Sequence, residues 1–224
     1  MDSNAQMRSQ TAAKSPRSGR DYIARHGETV FNAAGRLQGE HLHTPLTRAG
    51  FAQADEMGRA LREKLGPKPA LTLWASPTGR ALQTLAVIAE HLELDWHAAR
   101  TDSRLVEIDT GDWGGRYYTD LAAEGLTVVD RATGLLHPAP NGEDYPAIAE
   151  RVSGWLAETD GDAGDRLVIL HGISSRVLRG VMTGGADLPG YGAPALPGLP
   201  QGSLVQIERG VETVLHRGAG HAPA

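Results

Sequence analysis

The chain has 224 residues, 40% hydrophobic and 22% charged, which suits one well-buried globular core and leaves little room for a second. A net charge of −5 argues against nucleic acid or an anionic membrane as partner, and no run approaches the ~20 apolar residues of a membrane span. The absence of cysteine excludes disulfides, thiolate metal sites and a cysteine nucleophile, and favours the cytoplasm as compartment.

Residues 1–20 are polar and basic and lack the apolar segment of a secretory signal, so they read as a disordered tail. Residues 21–217 read as a single domain, with 218–224 a second tail. Tyr22–Arg25 is a short strand. Thr47 caps a helix running to about Leu65, with Phe51, Ala54, Met57, Ala60 and Leu61 at helical spacing, and Gly66-Pro67 ends it. Leu71–Ala75 is a buried strand. Ser76-Pro77 then opens a helix to about His91, with serine as cap and proline at the first position. Trp96–Ala98 reads as a short strand. Residues 104–142 are irregular apart from a helix at 117–124, and 105–142 reads as a cap. Glu143–Glu158 is helical, Arg166–Leu170 is a strand, and a helix runs from Ser174 to Met182. After a Gly/Pro-rich loop at 188–202, two alternating strands at 203–208 and 212–216 form a hairpin.

Strands alternating with helices imply an α/β fold: a three-layer α/β/α sandwich around a mostly parallel mixed sheet, closed by a C-terminal antiparallel hairpin. Ligands of such sheets sit beyond the carboxyl ends of strands. Two of those ends carry a His-Gly pair, His26-Gly27 and His171-Gly172. A histidine beside an arginine at a strand end suits attack on phosphorus with the phosphate oxygens neutralised.

Four blocks in order carry a resemblance. They are Arg25-His26-Gly27-Glu28-Thr29 with Asn32 and Gln38-Gly39; Ser76-Pro77-Thr78-Gly79-Arg80; Leu105-Val106-Glu107 with Gly111 and Trp113-Gly114; and His171-Gly172. From about Asp21 to Leu215 the chain resembles the histidine phosphatase superfamily, in its phosphoglycerate mutase-like branch. The resemblance implies that His26 is the nucleophile and forms a phosphohistidine, with a backbone carbonyl holding its other ring nitrogen. Arg25, Arg80 and His171 would cage the phosphate, and Glu107 would be the general acid and base, with Asp109 and Asp112 as alternatives. Asn32, Gln38, Gly39 and Gly172 would contact substrate. Glu28 would order the site. Asn141-Gly142-Glu143 resembles the family's Gly-Glu-Ser element, with Asp144 in place of serine. The family implies no metal and no cofactor, and a small phosphorylated metabolite as partner; a homodimer is open to the sequence.

The chain also departs from the pattern. The loop from Gln38 to Thr47 is one residue longer than usual, with His43 where an aspartate is expected, and His41 and His43 find no third metal ligand nearby. Ile173 stands where glycolytic mutases carry asparagine. Between Trp113 and Pro140 no paired arginines are present, only the isolated Arg116 and Arg131. A mutase must retain a bisphosphate while it reorients, so hydrolysis is the favoured reading. The alternatives are a 2,3-bisphosphoglycerate-dependent mutase, a protein phosphohistidine phosphatase or a non-catalytic regulatory member, although none of the expected site residues is missing.

Overall fold

The structure is a computed structural model that describes residues 17–162 and 164–220. Its six strands are β1 (Asp21–Arg25), β2 (Leu71–Ala75), β3 (Arg100–Thr101), β4 (Asp165–Leu170), β5 (Leu204–Glu208) and β6 (Val211–His216). They form one sheet in the order β3-β2-β4-β1-β5-β6. The pairs β3–β2, β2–β4 and β4–β1 are parallel, whereas β1–β5 and β5–β6 are antiparallel. The helices are α1 (Val30–Ala33), α2 (Arg48–Leu65), α3 (Gly79–Leu92), α4 (Tyr118–Ala123), α5 (Tyr145–Thr159) and α6 (Gly172–Met182).

Alternation along the central strands sorts the core into two layers. Tyr22, Ala24, Leu73, Ala75, Leu167 and Ile169 pack with Met57 and Leu61 of α2 and Leu85 and Ile88 of α3. The intervening residues Ile23, Trp74, Val168 and Leu170 face the other way, against Val152 and Trp155 of α5 and Val177 of α6. Helices therefore cover both faces, as the strand–helix alternation requires. Where α2 and α3 meet, a Cβ on Gly58 would lie 2.4 Å from the His91 ring, so that approach depends on glycine. Among the described residues no helix is long and apolar enough to cross a membrane.

Several local features differ from the sequence reading. Ser76 does not cap α3: the helix starts at Gly79 with Thr78 at the cap position, and the Ser76 hydroxyl instead meets His171 and the Thr78 N–H. Trp96–Ala98 is a 3₁₀ turn in which Asp95 accepts from the His97 N–H, and the edge strand is Arg100–Thr101 beyond it. The helix expected from Glu143 begins at Tyr145, because Asp144 accepts from the Ala147 N–H as N-cap. α6 begins two residues earlier than Ser174, at Gly172, with His171 at its cap. α1 escapes the sequence reading because it spans four residues, held by a capping box between Thr29 and Asn32.

Of the expected tails, residues 1–16 and 221–224 lie outside the described residues. Residues 17–20 join the fold instead: Arg17 donates to the Asp162 and Gly164 carbonyls, and Arg20 pairs with Asp165 at 2.8 Å. Gly218 likewise donates to the Ser203 hydroxyl.

At the start of β1 and β4 a buried ion pair joins Asp21 to Arg166 at 2.5 Å, with both side chains at or below 5% exposure. Arg166 also donates to the Thr159 hydroxyl and lies over the Trp155 ring. Removing one partner strands the other charge in the core. Asp21→Ala is therefore expected to lower the unfolding free energy by about 3–5 kcal/mol, read from urea denaturation.

Candidate active site

β1 and β4 are neighbours, with Arg25 in register with Leu170, so the two His-Gly pairs emerge side by side. The His26 N–H donates to the Leu170 carbonyl, and the His26 and His171 rings lie with centroids 5.1 Å apart. His26 is 2% exposed. Its Nδ1 lies 2.7 Å from the Gly27 carbonyl, an acceptor only, so Nδ1 carries the proton and Nε2 keeps its lone pair. Burial, then Arg80 and Arg25, hold the ring well below the usual histidine range, so it is neutral at pH 7.

His171 is fully buried and fixed through both nitrogens. Its Nδ1 accepts from Arg80 Nε at 3.1 Å, which leaves Nε2–H to donate to the Ser76 hydroxyl at 2.8 Å. Burial and the nearby Arg80 and His26 hold it, too, well below its ordinary pKa. Arg80 is 0% exposed and ties the following loop to the site: Nη1 donates to the His41 carbonyl and the Thr44 hydroxyl, and Nη2 to the Gly39 carbonyl. Of its five N–H groups, one on Nη2 remains. Burial pushes both Arg80 and Arg25 down to about 10, so both stay cationic at neutral pH.

Arg25 is braced from the Gly/Pro-rich stretch, where the Leu199 carbonyl accepts from its Nη1 at 2.6 Å. The same stretch offers the Leu196 carbonyl to Arg176 and the Pro197 carbonyl to Arg179, so the loop is a strap tied by three arginines. Glu107 reaches across to the start of α6, where its carboxylate accepts from the Ile173 and Ser174 N–H groups and from that of Ile108. Gly172 is the first residue of α6, between the two charges: a Cβ there would lie 3.3 Å from Arg25 and 3.4 Å from Glu107.

A cleft of roughly 440 Å³, counting its solvent-open part, lies over this arrangement. Arg25, His26, Asn32, Gln38, Gly39, Glu107 and Gly172 all line it, so seven of the residues singled out from the sequence converge there. Arg80 and His171 stand behind that lining. Asn32 and Gln38 are themselves tied to the Thr29 hydroxyl. Neither Asp109 nor Asp112 lines the cleft; Asp109 accepts from the Gly111 N–H and Asp112 from Asn141.

Glu28 accepts from the Thr47 hydroxyl, holding the start of α2 against the loop that follows His26. Glu143 is not at the cleft. It pairs with Arg151 at 2.6 Å, and Arg151 in turn donates to the Arg104 carbonyl, with Nη2 3.4 Å from the Glu107 carbonyl, so the pair braces the backbone that carries Glu107. His41 packs on Phe31, and the described residues hold no group of three or more His, Cys, Asp or Glu arranged to bind a metal. From 105–142 the cleft takes Ile108, Thr110, Tyr118 and Leu136 as well as Glu107. Those residues, with Arg36, were not legible in the sequence. Neither was the Ser76–His171 bond, between residues 95 positions apart.

Two neutral histidines, two arginines and one carboxylate around a cleft at the carboxyl end of a mixed sheet suit transfer of a phosphoryl group. The model of the histidine phosphatase superfamily (branch 1) matches residues 22–214, and the chain belongs to that family. It is 31% identical over 196 residues to the glucosyl-3-phosphoglycerate phosphatase of Mycobacterium tuberculosis, covering 83% of each chain. The solved mycobacterial glucosyl-3-phosphoglycerate phosphatase with VO3 matches at TM-score 0.70 and 25% identity, covering 91% of this chain and all of that one. Identity is 34% over 177 residues, 76% of each chain, to a probable phosphoglycerate mutase of Klebsiella pneumoniae. A 6-phosphofructo-2-kinase/fructose-2,6-bisphosphatase of Caenorhabditis elegans is 33% identical over 188 residues; the match takes in 83% of this chain and 38% of that longer protein.

The depressed histidines make stability depend on pH. Below about pH 6.5 the unfolded chain binds protons that folded His26 and His171 refuse, so stability falls as pH falls. A loss of about 2 kcal/mol is expected between pH 7 and pH 5.5 by urea denaturation, and His26→Gln is expected to halve that slope.

Proposed function

We propose that this protein is a phosphomonoester hydrolase that acts on a small phosphorylated metabolite through a phosphohistidine on His26. The observation that carries the reading is the 2.7 Å contact from His26 Nδ1 to the Gly27 carbonyl. It directs the free lone pair of Nε2 outward from a ring that cannot be protonated at neutral pH, and the carbonyl accepts the positive character that develops as the N–P bond forms.

Arg25 and the remaining Nη2–H of Arg80 supply positive charge to the equatorial phosphate oxygens. The N–H of Gly172, in the first turn of α6, is a further donor of the kind helix starts leave free. Donation from His171 to a phosphate oxygen would require its Nε2–H to leave the Ser76 hydroxyl, so His171 serves first to hold Arg80. Glu107 protonates the leaving alkoxide. It then takes a proton from the water that attacks the phosphohistidine, returning His26 to its starting state. Asn32, Gln38 and Gly39, which line the same cleft, contact the ester, and 105–142 caps the site over one domain.

Every group in this sequence of steps comes from one chain, and none of the steps calls for a metal or cofactor. A cysteine-free chain fits a cytoplasmic setting. The mutase reading draws on the similarity to the Klebsiella protein. Against it, Arg25 and Arg36 are the two cationic side chains in the cleft lining, and Arg116 is engaged by Glu124. That is little charge with which to retain a bisphosphate.

His26→Ala is expected to abolish phosphate release from a panel of phosphate esters, by more than a thousandfold, with an unchanged circular dichroism spectrum. Wild-type activity is expected to persist in EDTA. Near-wild-type turnover of His26→Ala would refute the mechanism. Glu107→Gln is expected to slow alkyl phosphates at least tenfold more than p-nitrophenyl phosphate, whose leaving group needs no proton.

A further inference from the structure

A second cleft, of roughly 710 Å³ counting its solvent-open part, lies at the end of the sheet opposite His26. Asp21 pairs in register with Arg166 on one side and Ile207 on the other, so the starts of β1 and β4 and the end of β5 meet there. The five residues of β1 put it roughly 13 Å from the phosphate cage. Leu156 of α5 and Val181 and Met182 of α6 supply an apolar wall. The floor is charged and well buried: Arg166 is 1% exposed, Asp21 4% and the Arg17 side chain 9%. One oxygen of Asp21 accepts from both Arg166 Nε and Arg17 Nη2. Two guanidinium groups thus share one carboxylate, and Arg17 Nε has no acceptor among the described residues.

Arg209 also lines the cleft, and with Gly210 it makes the turn between β5 and β6. Both turn residues have positive φ, 51° and 78°. Two-residue turns of this kind favour asparagine, aspartate or glycine at the first position, so an arginine is held there at a conformational cost. The carbonyls that end the neighbouring helices add little negative charge, because they are already bonded. That of Thr159 accepts from Arg166 and the Asp162 N–H, and that of Val181 from the Gly184 N–H.

We infer that this cleft is a second binding site, for an aliphatic carboxylate whose head meets Arg209 and whose chain lies along Leu156, Val181, Met182 and Ile207. Three arginines against Asp21 and Asp160 leave one positive charge in the lining. A carboxylate balances that charge, whereas a phosphate monoester carries close to two negative charges at neutral pH and would leave one unmatched in a partly desolvated site. Apolar walls with a few convergent polar groups are the usual form of a small-molecule site. The site is independent of the reaction at His26.

Titration of the full chain with octanoate and with 1-octanol tests this, followed by calorimetry and by the methyl resonances of Val181, Met182 and Ile207. Octanoate is expected to bind at least tenfold more tightly than the alcohol, the scale of a charge-assisted hydrogen bond, and to shift those methyls. Arg209→Gly suits the positive φ of the turn and is expected to erase the preference. Met182→Glu is expected to weaken octanoate at least tenfold by setting a like charge in the cleft. In the wild type, no binding of octanoate, equal affinity for the two compounds, or shifts confined to Ile108 and Ile173 of the cleft at His26 overturns the inference, whether or not the variants fold. So does a preference that persists in Arg209→Gly, or unchanged octanoate affinity in Met182→Glu.

Discussion

Positive charge held out of water organises this structure. Arg25 and Arg80 are both buried, and neither has an acidic side chain as hydrogen-bond partner; Glu107, which lies beside Arg25, is spent on the first N–H groups of α6. Uncompensated cations are costly in an interior, so the chain supplies carbonyl oxygens in their place. Those of Gly39, His41 and Leu199 come from two loops far apart in sequence, which converge because the two guanidinium groups need acceptors. The same burial keeps His26 and His171 neutral. Stability is given up at this point so that an anion finds a field already in place.

The sheet makes this concentration of charge tolerable. Both faces of β1 and β4 are packed by helices, so the strand ends are rigid and their His-Gly pairs are held in register. Outside the strands the site is braced by indirect ties. Arg151 and Glu143 hold the backbone of Glu107, and Arg176 and Arg179 hold the strap that holds Arg25. Gly39, with φ +48°, turns its carbonyl toward Arg80 where a Cβ would meet the Thr110 hydroxyl at 2.5 Å. Glycine is required there by both space and conformation.

Much of this was legible in the sequence, for identifiable reasons. Continuous apolar strands and 3.6-residue spacing reflect burial, which acts on each residue type directly, so β1, β2, β4, α2 and α5 stood out. His26, Arg25, Glu107, Asn32, Gln38, Gly39 and Gly172 lie in motif blocks, and these residues do line one cleft. What failed to show was local geometry settled by distant partners. Ser76 has the form of a helix cap, but its hydroxyl meets His171, 95 positions away, and α3 starts at Gly79. The turn at Trp96–Ala98 has strand-like composition, but Asp95 caps it and pairing begins only at Arg100.

By itself the sequence determined the fold class, the order of the longer strands and helices along the chain, and the motif residues that line the cleft, because hydrophobic period and motif spacing are properties of neighbouring positions. Only the tertiary structure decided that β4 lies between β2 and β1, and so that His171 stands beside both Ser76 and His26. It alone decided that Arg80 is largely a tie for a loop, that Glu143 acts through Arg151, and that Arg36 lines the cleft beside the Phe31 and Tyr117 rings. Each of these is a contact between residues dozens of positions apart, set by the competition of buried donors for acceptors, and a linear pattern holds no record of which donor won.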